Sequence, residues 1–461
     1  MFDKKEFDVV IVGAGPAGVV AAITAAKNGL QVALLDKKEK QLIGNKTCGD
    51  ALDRNSPKLL KEKLGVEYPH GTEVADPIEK MIILGENSEA KISLDAPGFM
   101  VNRLEYGQRL LKEAEKAGTI IFDRTRGKKA IVRDGKVVGL KAETNDGKEI
   151  IFTSKITIDA SGVIAKLRRS LPQDFFPPME KTLDQKFIAK TYREIIELKD
   201  EHPWRRSIVL KYEHDIPSPG YIWFFTKGKQ RLNVGTGWVP NKKNKELSVK
   251  KVFKQAFKKY YSEDQYTLLA SGGGQVPVRP PLDTAAAPGF LVAGDAAYHV
   301  EPATAEGHGP ALVAGYWAGT YALKAVEEND VSIQNLWGYN VNVFQSFGVK
   351  HAVGLIVANF LGKVGSRGIE FLLKRNVITQ EDLELIFLGG TANIGLRIIL
   401  KKIVRSFPRY GLLLSLKNLL SQAKVVKNVY KQYPQTYEGL QQWKQMRDKL
   451  VPEFYQGLYS K

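Results

Sequence analysis

Three glycines near the start of the chain have the spacing of a nucleotide-binding turn. The segment Gly13-Ala-Gly15-Pro-Ala-Gly18 follows an apolar run at residues 7–12 and opens a segment of helical composition at residues 16–28. Glycine permits a tight turn and a close approach to a pyrophosphate, whose oxygens the N–H groups of the following helix receive. Asp36 ends the next apolar run, at residues 31–35, where a ribose-binding carboxylate belongs. The spacing predicts a dinucleotide site formed by Gly13, Ala14, Gly15, Pro16, Ala17, Gly18 and Asp36.

Two later segments indicate which dinucleotide binds. Ile156-Thr-Ile-Asp159-Ala-Ser-Gly162 and Phe290-Leu-Val-Ala-Gly294-Asp295 resemble the Asp-Gly and Gly-Asp segments of the two-domain flavoproteins typified by aromatic hydroxylases. This resemblance implies FAD as the cofactor and a contact between Asp295 and the ribityl chain. It also implies cofactor contacts for Arg103, Gly162 and Gly294. Asp159 and Asp295 have an alternative interpretation as ordinary helix caps.

Two further segments resemble those of geranylgeranyl reductases, and this resemblance covers essentially the whole chain. Lys46-Thr-Cys48-Gly49-Asp50-Ala51 is similar to the family's segment against the isoalloxazine ring, and Tyr221-Ile-Trp223-Phe-Phe225 is similar to its motif over the substrate channel. The chain departs from the family pattern at Thr226, where a proline is usual. The resemblance implies cofactor contacts for Lys37, Cys48, Gly49, Ala51 and Gly127, and substrate contacts for Tyr221, Trp223 and Phe225.

A further turn, ahead of a predicted helix at residues 309–326, is expected to contact the flavin through Gly307, His308 and Gly309. Backbone N–H groups there would approach the pyrimidine edge of the ring, which carries negative charge when it is reduced. Glu306 and His308 are titratable side chains in the same turn. The candidate catalytic residues are Cys48, Tyr221, Trp223 and His308. Alternatively, Cys48 is an inert buried thiol, His308 only packs, and the aromatic residues fill the core of a sheet.

The resemblance to geranylgeranyl reductases implies an enzyme that saturates carbon–carbon double bonds of a geranylgeranyl or other polyprenyl chain. The polyprenyl chain would be part of a membrane-lipid precursor or of a quinone side chain. Reduced FAD would give hydride to one alkene carbon, and a proton would reach the other. An FAD-dependent monooxygenase is the main alternative, because hydroxylases share the cofactor segments. A flavin-carrying lipid-binding protein without turnover is a third hypothesis.

Electrons for such a reaction must come from an external donor. The sequence has no second Gly-x-Gly-x-x-Gly segment in a strand-turn-helix setting, so no dedicated NAD(P)H domain is predicted. The single cysteine, Cys48, excludes an intramolecular disulfide and a Cys-ligated iron–sulfur or zinc centre, and no metal site is predicted. Ferredoxin, a quinol and NAD(P)H are the candidate donors. The net charge of +18 favours an acidic ferredoxin.

The hydrophobic pattern places these residues on an α/β fold. It predicts a Rossmann-type FAD-binding domain at residues 1–80, 100–180 and 280–340, an inserted antiparallel β-sheet substrate domain at residues 81–99 and 181–279, and a C-terminal helical region at residues 341–461. Because side chains alternate along a strand, Tyr221, Trp223 and Phe225 are expected on one face of the inserted sheet, opposite Phe224.

The C-terminal region is both basic and apolar. Residues 385–437 contain nine Lys and Arg residues and no Asp or Glu, interleaved with leucine and isoleucine, as at residues 394–405. This composition suits either an amphipathic helix at an anionic membrane surface or a solvated helix face. The uncharged run at residues 9–26 contains the glycines and proline of the nucleotide turn, so no spanning helix is predicted. We expect a cytoplasmic protein, peripheral on the inner face of the cell membrane, with no nucleic-acid partner.

Overall fold

The computed structural model describes residues 3–87, 89–383, 402 and 404–451, which contain two eight-stranded sheets and the helices around them. The strands are β1 (Asp3–Val12), β2 (Val32–Leu35), β3 (Ala51–Asp53), β4 (Val74–Leu84), β5 (Lys91–Val101), β6 (Ile120–Phe122), β7 (Thr125–Arg133), β8 (Lys136–Thr144), β9 (Glu149–Asp159), β10 (Ile188–Leu198), β11 (Ser207–Lys211), β12 (Tyr221–Thr226), β13 (Arg231–Trp238), β14 (Tyr266–Pro277), β15 (Ala286–Ala287) and β16 (Phe290–Val292). The helices are α1 (Pro16–Lys27), α2 (Asn55–Leu64), α3 (Arg103–Lys116), α4 (Val249–Phe257), α5 (His308–Glu327), α6 (Ile333–Val343), α7 (Val349–Lys374), α8 (Tyr410–Lys431) and α9 (Leu440–Leu450).

The first sheet carries the glycine turn. β1 pairs in parallel with β2 and with β9, and β9 pairs in parallel with β16. Val9, Val10 and Ile11 are completely buried, as is expected for a central strand of a parallel sheet. A hairpin of β7 and β8 continues this sheet from β9. The predicted strand-turn-helix-strand opening is therefore present.

Two helices cross at close range beside the first sheet. A Cβ atom on Gly315 of α5 would lie 2.3 Å from the carbonyl oxygen of Ala17 of α1, and a Cβ atom on Gly319 would lie 2.5 Å from the Cβ of Thr24. Glycine at these positions lets the two backbones approach each other. The first residues of both helices, Pro16 and His308, line the same cavity.

The second sheet has the strand order β14-β10-β13-β12-β11-β4-β5-β3. Its pairs are antiparallel except for β11 with β4, so the sheet predicted as antiparallel is mixed. The boundary predicted at residue 80 falls inside β4, and β3 also joins this sheet. The boundary differs because β4 pairs with β5 over its whole length, from Val74 to Leu84, across two bulges. Hydrophobic periodicity does not reveal which sheet a strand joins.

The two faces of the second sheet have different partners. Phe224 is completely buried on the face covered by α4, where its ring centroid lies 4.7 Å from that of Trp204. Tyr221, Trp223 and Phe225 lie on the opposite face and line the cavity. The alternation predicted for this strand is confirmed.

The helical region begins before residue 341, because α6 starts at Ile333. A π-helical segment, Phe344–Gly348, joins α6 to α7, and the helical run extends to Lys374 with a kink at Gly365, whose φ of +65° and ψ of 176° are not helical. Part of this run is long and apolar enough to cross a membrane, with a mean hydropathy of 1.3, but 72% of that window is buried inside the protein. Such burial is typical of a core helix with apolar residues on all sides.

The end of the described chain packs on this helix through aromatic rings. Phe344 stacks on Tyr433 with ring centroids 3.8 Å apart. The segment predicted as a basic amphipathic helix, residues 394–405, lies outside the described residues except for 402, 404 and 405. Lys402 is buried and forms an ion pair with Asp382, so it is not a surface cation as the sequence suggested.

A buried polar cluster joins the second sheet to the segment that precedes β3. The Nζ of Lys227 lies 3.2 Å from Oδ2 of Asp50 and also donates to the carbonyl of Val101. The Nδ2 of Asn233 donates to the same carboxylate, at 2.9 Å, and to the carbonyl of Cys48, at 2.8 Å. The side chains of Asp50 and Lys227 are less than 5% exposed. Because buried charges are stable only when they are compensated, this cluster holds the Cys48 segment on the second sheet.

Removal of the Lys227 ammonium tests this role. The Lys227→Met change leaves the Asp50 carboxylate buried without its cation, and we expect it to lower the free energy of unfolding by about 3–5 kcal/mol. Lys229→Met is the matched control, because Lys229 pairs with Glu201 at the surface, and its loss should cost less than about 1 kcal/mol. Chemical denaturation of the FAD-loaded protein gives both values. Equal losses in the two variants would show that the buried pair has no special role.

Candidate functional site

A cavity of about 910 Å³ lies between the two sheets, within the size range of small-molecule sites. The turn before α1, the segment before β3 and the start of α5 form one side, and β10, β12, β13 and β14 form the other. Ala358 and Leu361 of α7 contribute to the wall. The predicted site residues that line the cavity are Gly13, Ala14, Gly15, Pro16, Ala17, Asp36, Lys37, Cys48, Gly49, Arg103, Gly127, Gly162, Tyr221, Trp223, Phe225, Gly294, Asp295, Gly307 and His308.

Three residues predicted to contact the cofactor lie outside the cavity lining. Gly18 packs within the turn, where a Cβ atom would lie 1.9 Å from the carbonyl oxygen of Gly13. Ala51 belongs to β3 and pairs with β5. Gly309 faces the end of β3 and the start of α2, since a Cβ atom there would lie 2.1 Å from the Asp53 carboxylate and 2.6 Å from Oγ of Ser56. Their positions give these residues packing and pairing roles, and their contacts with the cofactor stay predictions.

The glycine turn presents N–H groups and a carboxylate to the cavity. Gly13 has a φ of +100°, and a Cβ atom there would lie 2.3 Å from the carbonyl oxygen of Ala160, so the position requires glycine. Gly15 is the N-cap of α1, and no described side chain caps this helix. Asp36 accepts a hydrogen bond of 2.8 Å from the N–H of Ala14, which fixes its carboxylate beside the turn. These donors and this carboxylate fit the phosphates and a ribose of FAD.

The segment before β3 meets the Gly-Asp segment at the cavity wall. The Nζ of Lys46 lies 2.8 Å from Oδ2 of Asp295, and this carboxylate raises the pKa of Lys46. Nη1 of Arg103 lies 3.5 Å from Sγ of Cys48. The structure therefore brings together Cys48, Arg103 and Asp295, which were predicted from three separate motifs.

Asp159 stabilises the loop that follows β9 and is not the ordinary helix cap of the alternative interpretation. Its carboxylate accepts hydrogen bonds from the N–H groups of Ser161 (3.0 Å) and Arg168 (2.7 Å) and is completely buried. It holds the turn that brings Gly162 to the cavity.

The start of α5 also faces the cavity, with Gly307 as its N-cap. His308 is buried, and its ring centroid lies 5.9 Å from that of Tyr106. Burial lowers the pKa of His308 well below its ordinary value, and the positive charges of Arg103 and Lys46 act in the same direction. The imidazole is therefore neutral at pH 7, so one of its ring nitrogens donates a hydrogen bond and the other accepts one.

Tyr221, Trp223 and Phe225 form an aromatic wall. The ring centroids are 6.2 Å apart from Tyr221 to Trp223 and 6.0 Å apart from Trp223 to Phe225. The Tyr221 hydroxyl donates to the carbonyl of Thr304 at 2.7 Å, and burial raises its pKa. Trp223 is 8% exposed. This wall offers ring faces and a protonated phenol to whatever occupies the cavity.

β13 supplies residues that sequence analysis missed. Asn233 accepts a hydrogen bond of 3.0 Å from Nε1 of Trp223, so it holds the indole ring as well as the segment before β3. Gly235 lies opposite Trp223, and a Cβ atom there would lie 2.4 Å from the indole ring. Gly237 lies opposite Tyr221. The available signal was an Asn-x-Gly-x-Gly run on a predicted strand, which places small residues on the same face as the aromatic rings.

Glu306 lies in the turn before α5, where its Oε1 accepts a hydrogen bond of 2.9 Å from the N–H of Gly309. Burial raises the pKa of Glu306 to about 7, and the nearby carboxylate of Asp53 acts in the same direction. The sequence marked both Glu306 and His308 as titratable. The structure makes Glu306 the group that exchanges a proton near neutral pH.

Residues 6–312 match the protein family described as FAD binding domain. Over 459 residues the chain is 32% identical to the digeranylgeranylglycerophospholipid reductase of Sulfolobus acidocaldarius, and the match covers 99% of each chain. Over 335 residues it is 31% identical to digeranylgeranylglycerophospholipid reductase 1 of Methanopyrus kandleri, which covers 72% of this chain and 85% of the relative. FAD is therefore the cofactor of this protein.

Solved structures share the fold. A geranylgeranyl bacteriochlorophyll reductase-like protein from Thermoplasma acidophilum is similar with a TM-score of 0.73 and 23% identity, over 90% of this chain and 100% of that chain. A flavin-dependent brominase is similar with a TM-score of 0.65 and 16% identity, over 88% of this chain and 100% of that chain. The predicted α/β fold with an FAD-binding domain is confirmed.

The raised pKa of Glu306 predicts a pH-dependent stability. The pKa is about 7 in the folded protein and 4.5 ordinarily, so the folded protein binds this proton more tightly than the unfolded chain. The resulting stabilisation is present below pH 4.5 and is lost as the pH rises through 7. The Glu306→Gln change removes this titration, so the unfolding free energy of the variant minus that of the parent should rise by about 1–3 kcal/mol over this range.

Denaturant titrations of the FAD-loaded proteins at several pH values measure this difference. Glu328→Gln is the matched control, because Glu328 is an exposed carboxylate at the other end of α5. If the unfolding free energies of parent and Glu306→Gln change in parallel with pH, Glu306 does not titrate as described.

Proposed function

Because the chain belongs to the family of FAD-dependent digeranylgeranylglycerophospholipid reductases, we propose that it saturates the geranylgeranyl chains of a glycerophospholipid precursor. The protein is an oxidoreductase that acts on carbon–carbon double bonds of polyprenyl chains. FAD, when it is bound and reduced, supplies the hydride. The observation that carries the proposal is that one cavity joins the glycine turn to the aromatic wall.

The aromatic wall suits a long apolar chain. An isolated alkene accepts hydride poorly, so the site has to protonate or polarise it while water is excluded. Tyr221, Trp223 and Phe225 on one side, with Ala358 and Leu361 of α7, give the cavity apolar surfaces that exclude water. Aromatic ring faces stabilise a developing positive charge. Trp223 is best placed for this task because Asn233 fixes its ring.

The proton needs a source near neutral pH. The Tyr221 hydroxyl is engaged with Thr304, and its raised pKa keeps it protonated. His308 is neutral. Glu306 both holds and releases a proton near pH 7, and it precedes the two lining residues Gly307 and His308.

The reaction requires an external reductant. An acidic ferredoxin is the donor that the net charge of +18 favours, because complementary charge accelerates the encounter of two proteins. A quinol or NAD(P)H would not depend on this charge to the same extent.

A membrane contact would bring a lipid substrate to the cavity. Large apolar side chains are exposed close together at the start of α8 and just before it, namely Val404, Phe407, Tyr410 and Leu414. Exposed cations lie among them, namely Arg405, Arg409 and Lys417. We name residues 404–417 the apolar-basic surface. Because apolar side chains insert into a bilayer and each cation near an anionic surface adds about 1 kcal/mol, this composition supports peripheral binding to anionic lipid.

Anaerobic reduction of a geranylgeranyl lipid tests the enzymatic proposal. Dithionite-reduced protein should raise the mass of a digeranylgeranylglycerophospholipid by units of two hydrogen atoms, as read by mass spectrometry. Trp223→Ala should lower turnover about tenfold or more, since it removes a cation-stabilising ring, while the FAD content stays near that of the parent. Trp204→Ala, on the opposite face of the sheet, is the matched control. Oxygen-dependent gain of one oxygen atom would point to a monooxygenase, and bound FAD without turnover would point to a lipid-binding protein.

Co-sedimentation with anionic vesicles tests the membrane proposal. The double change Phe407→Glu with Leu414→Glu should abolish most binding at low salt, because it places acidic groups on the apolar-basic surface. Binding of the parent should weaken with salt, since such attraction is screened over about 8 Å at physiological ionic strength. Leu268→Glu with Leu269→Glu is the control, because these residues are exposed on β14. Equal binding by the parent and the Phe407/Leu414 variant would contradict the proposal.

A further inference from the structure

Arg193 of β10 is a buried cation without a partner in the described part of the chain. It is 8% exposed, and neither its Nε nor its Nη1 has a hydrogen-bond acceptor among the described residues. A buried guanidinium is costly unless an anion compensates it. The position therefore indicates an anionic ligand that is not part of the protein.

The Arg193 side chain belongs to the cavity. Arg193 lines it together with Thr191, the preceding residue on the same face of β10. In the sheet Arg193 pairs with Gly235, where an added Cβ atom would lie 2.8 Å from the Cβ of Arg193 and 2.4 Å from the ring of Trp223. The guanidinium therefore extends from a position directly beside the aromatic wall.

The acidic residues of the cavity do not compensate Arg193. Among the described lining residues the acids are Asp36 and Asp295. Asp36 accepts hydrogen bonds from backbone N–H groups, and Asp295 pairs with Lys46. The lining contains more Lys and Arg residues than acids. Cations therefore remain in the cavity after Asp36 and Asp295 are paired.

The FAD diphosphate is not the anion that Arg193 needs. That diphosphate belongs at the glycine turn and the N-terminus of α1, on the first sheet, whereas Arg193 is on the second sheet. A shallow groove adjoins the cavity at Thr191 and Gln275 and adds Lys190 and Lys250, which are exposed.

We propose that Arg193 binds the phosphate of the isoprenoid substrate and so fixes the end of the prenyl chain beside Trp223. The inference rests on the proposed function, because it assigns the anion to the substrate. A guanidinium binds phosphate oxygens through charge-assisted N–H donors, and Nε and Nη1 of Arg193 have no acceptor among the described residues. The apolar chain then extends along the aromatic wall.

Binding to the oxidised, FAD-loaded protein tests this assignment without turnover. In calorimetric titrations we expect the parent to bind geranylgeranyl diphosphate and digeranylgeranylglycerol phosphate more tightly than geranylgeraniol and digeranylgeranylglycerol. Arg193→Met should weaken binding of the phosphate-bearing ligands about tenfold to a hundredfold, the range for a hydrogen bond to a charged group. Binding of the neutral ligands should stay within about twofold. Arg205→Met is the matched control, because Arg205 is exposed in the same sheet domain.

The two phosphate sources give separate outcomes. A loss with both phosphate-bearing ligands, or with either one alone, supports the inference and identifies the source. An equal loss with phosphate-bearing and neutral ligands overturns it. The outcome is also independent of catalysis: phosphate-dependent binding without reduction would refute the proposed function and leave the role of Arg193 intact.

Thermal stability separates a ligand role from a structural role. Because Arg193 lacks a partner in the described structure, Arg193→Met should unfold at the same temperature as the parent or higher, and geranylgeranyl diphosphate should raise the melting temperature of the parent only. A lower melting temperature of the ligand-free variant would show that the guanidinium stabilises the fold. A change in FAD retention or in the flavin spectrum of the ligand-free variant would assign Arg193 to the cofactor. Either result overturns the inference.

Discussion

The buried carboxylate of Asp50 is the constraint on which the arrangement of the site depends. Its charge is compensated by Lys227 and Asn233, and both of these belong to the second sheet or to the turn within it. The segment that carries Cys48 therefore cannot leave the second sheet without exposing an uncompensated charge to an apolar interior. Because this segment continues from the first sheet, the same contact sets the separation between the glycine turn and the aromatic wall. Directional polar contacts, rather than apolar packing alone, thus define the width of the cavity.

Local patterns in the sequence predicted most of the residues that line the cavity around the glycine turn. The glycine turn, the Asp-Gly segment and the Gly-Asp segment each follow a strand, and β1, β9 and β16 are parallel neighbours with Val12, Asp159 and Val292 in register. Carboxyl ends of neighbouring parallel strands meet at one edge of a sheet, so motifs far apart in sequence converge. Alternation along β12 likewise predicted which aromatic residues share a face. Both features depend only on residues close together in sequence.

The remaining features depend on contacts between distant residues. The membership of β3 and β4 in the second sheet follows from strand pairing, which no periodicity reveals. Lys402 looked like a surface cation, but it pairs with Asp382, twenty residues earlier. Glu306 and His308 are two residues apart, yet burial shifts their pKa values in opposite directions, because it disfavours the charged form of each. Arg193 and Asn233 are unremarkable in the sequence, since their importance comes from which groups surround them.

The close crossing of α1 and α5 has an electrostatic consequence. Each helix carries a macrodipole whose positive end is its N-terminus, and Gly315 against Ala17 fixes the two helices so that both positive ends face one cavity. The potential from aligned peptide groups does not titrate, unlike that of Glu306, and a site shielded from solvent ions screens it weakly. The two helices therefore contribute a positive potential that does not change with pH, and negative charge that develops in the cavity meets a field already in place.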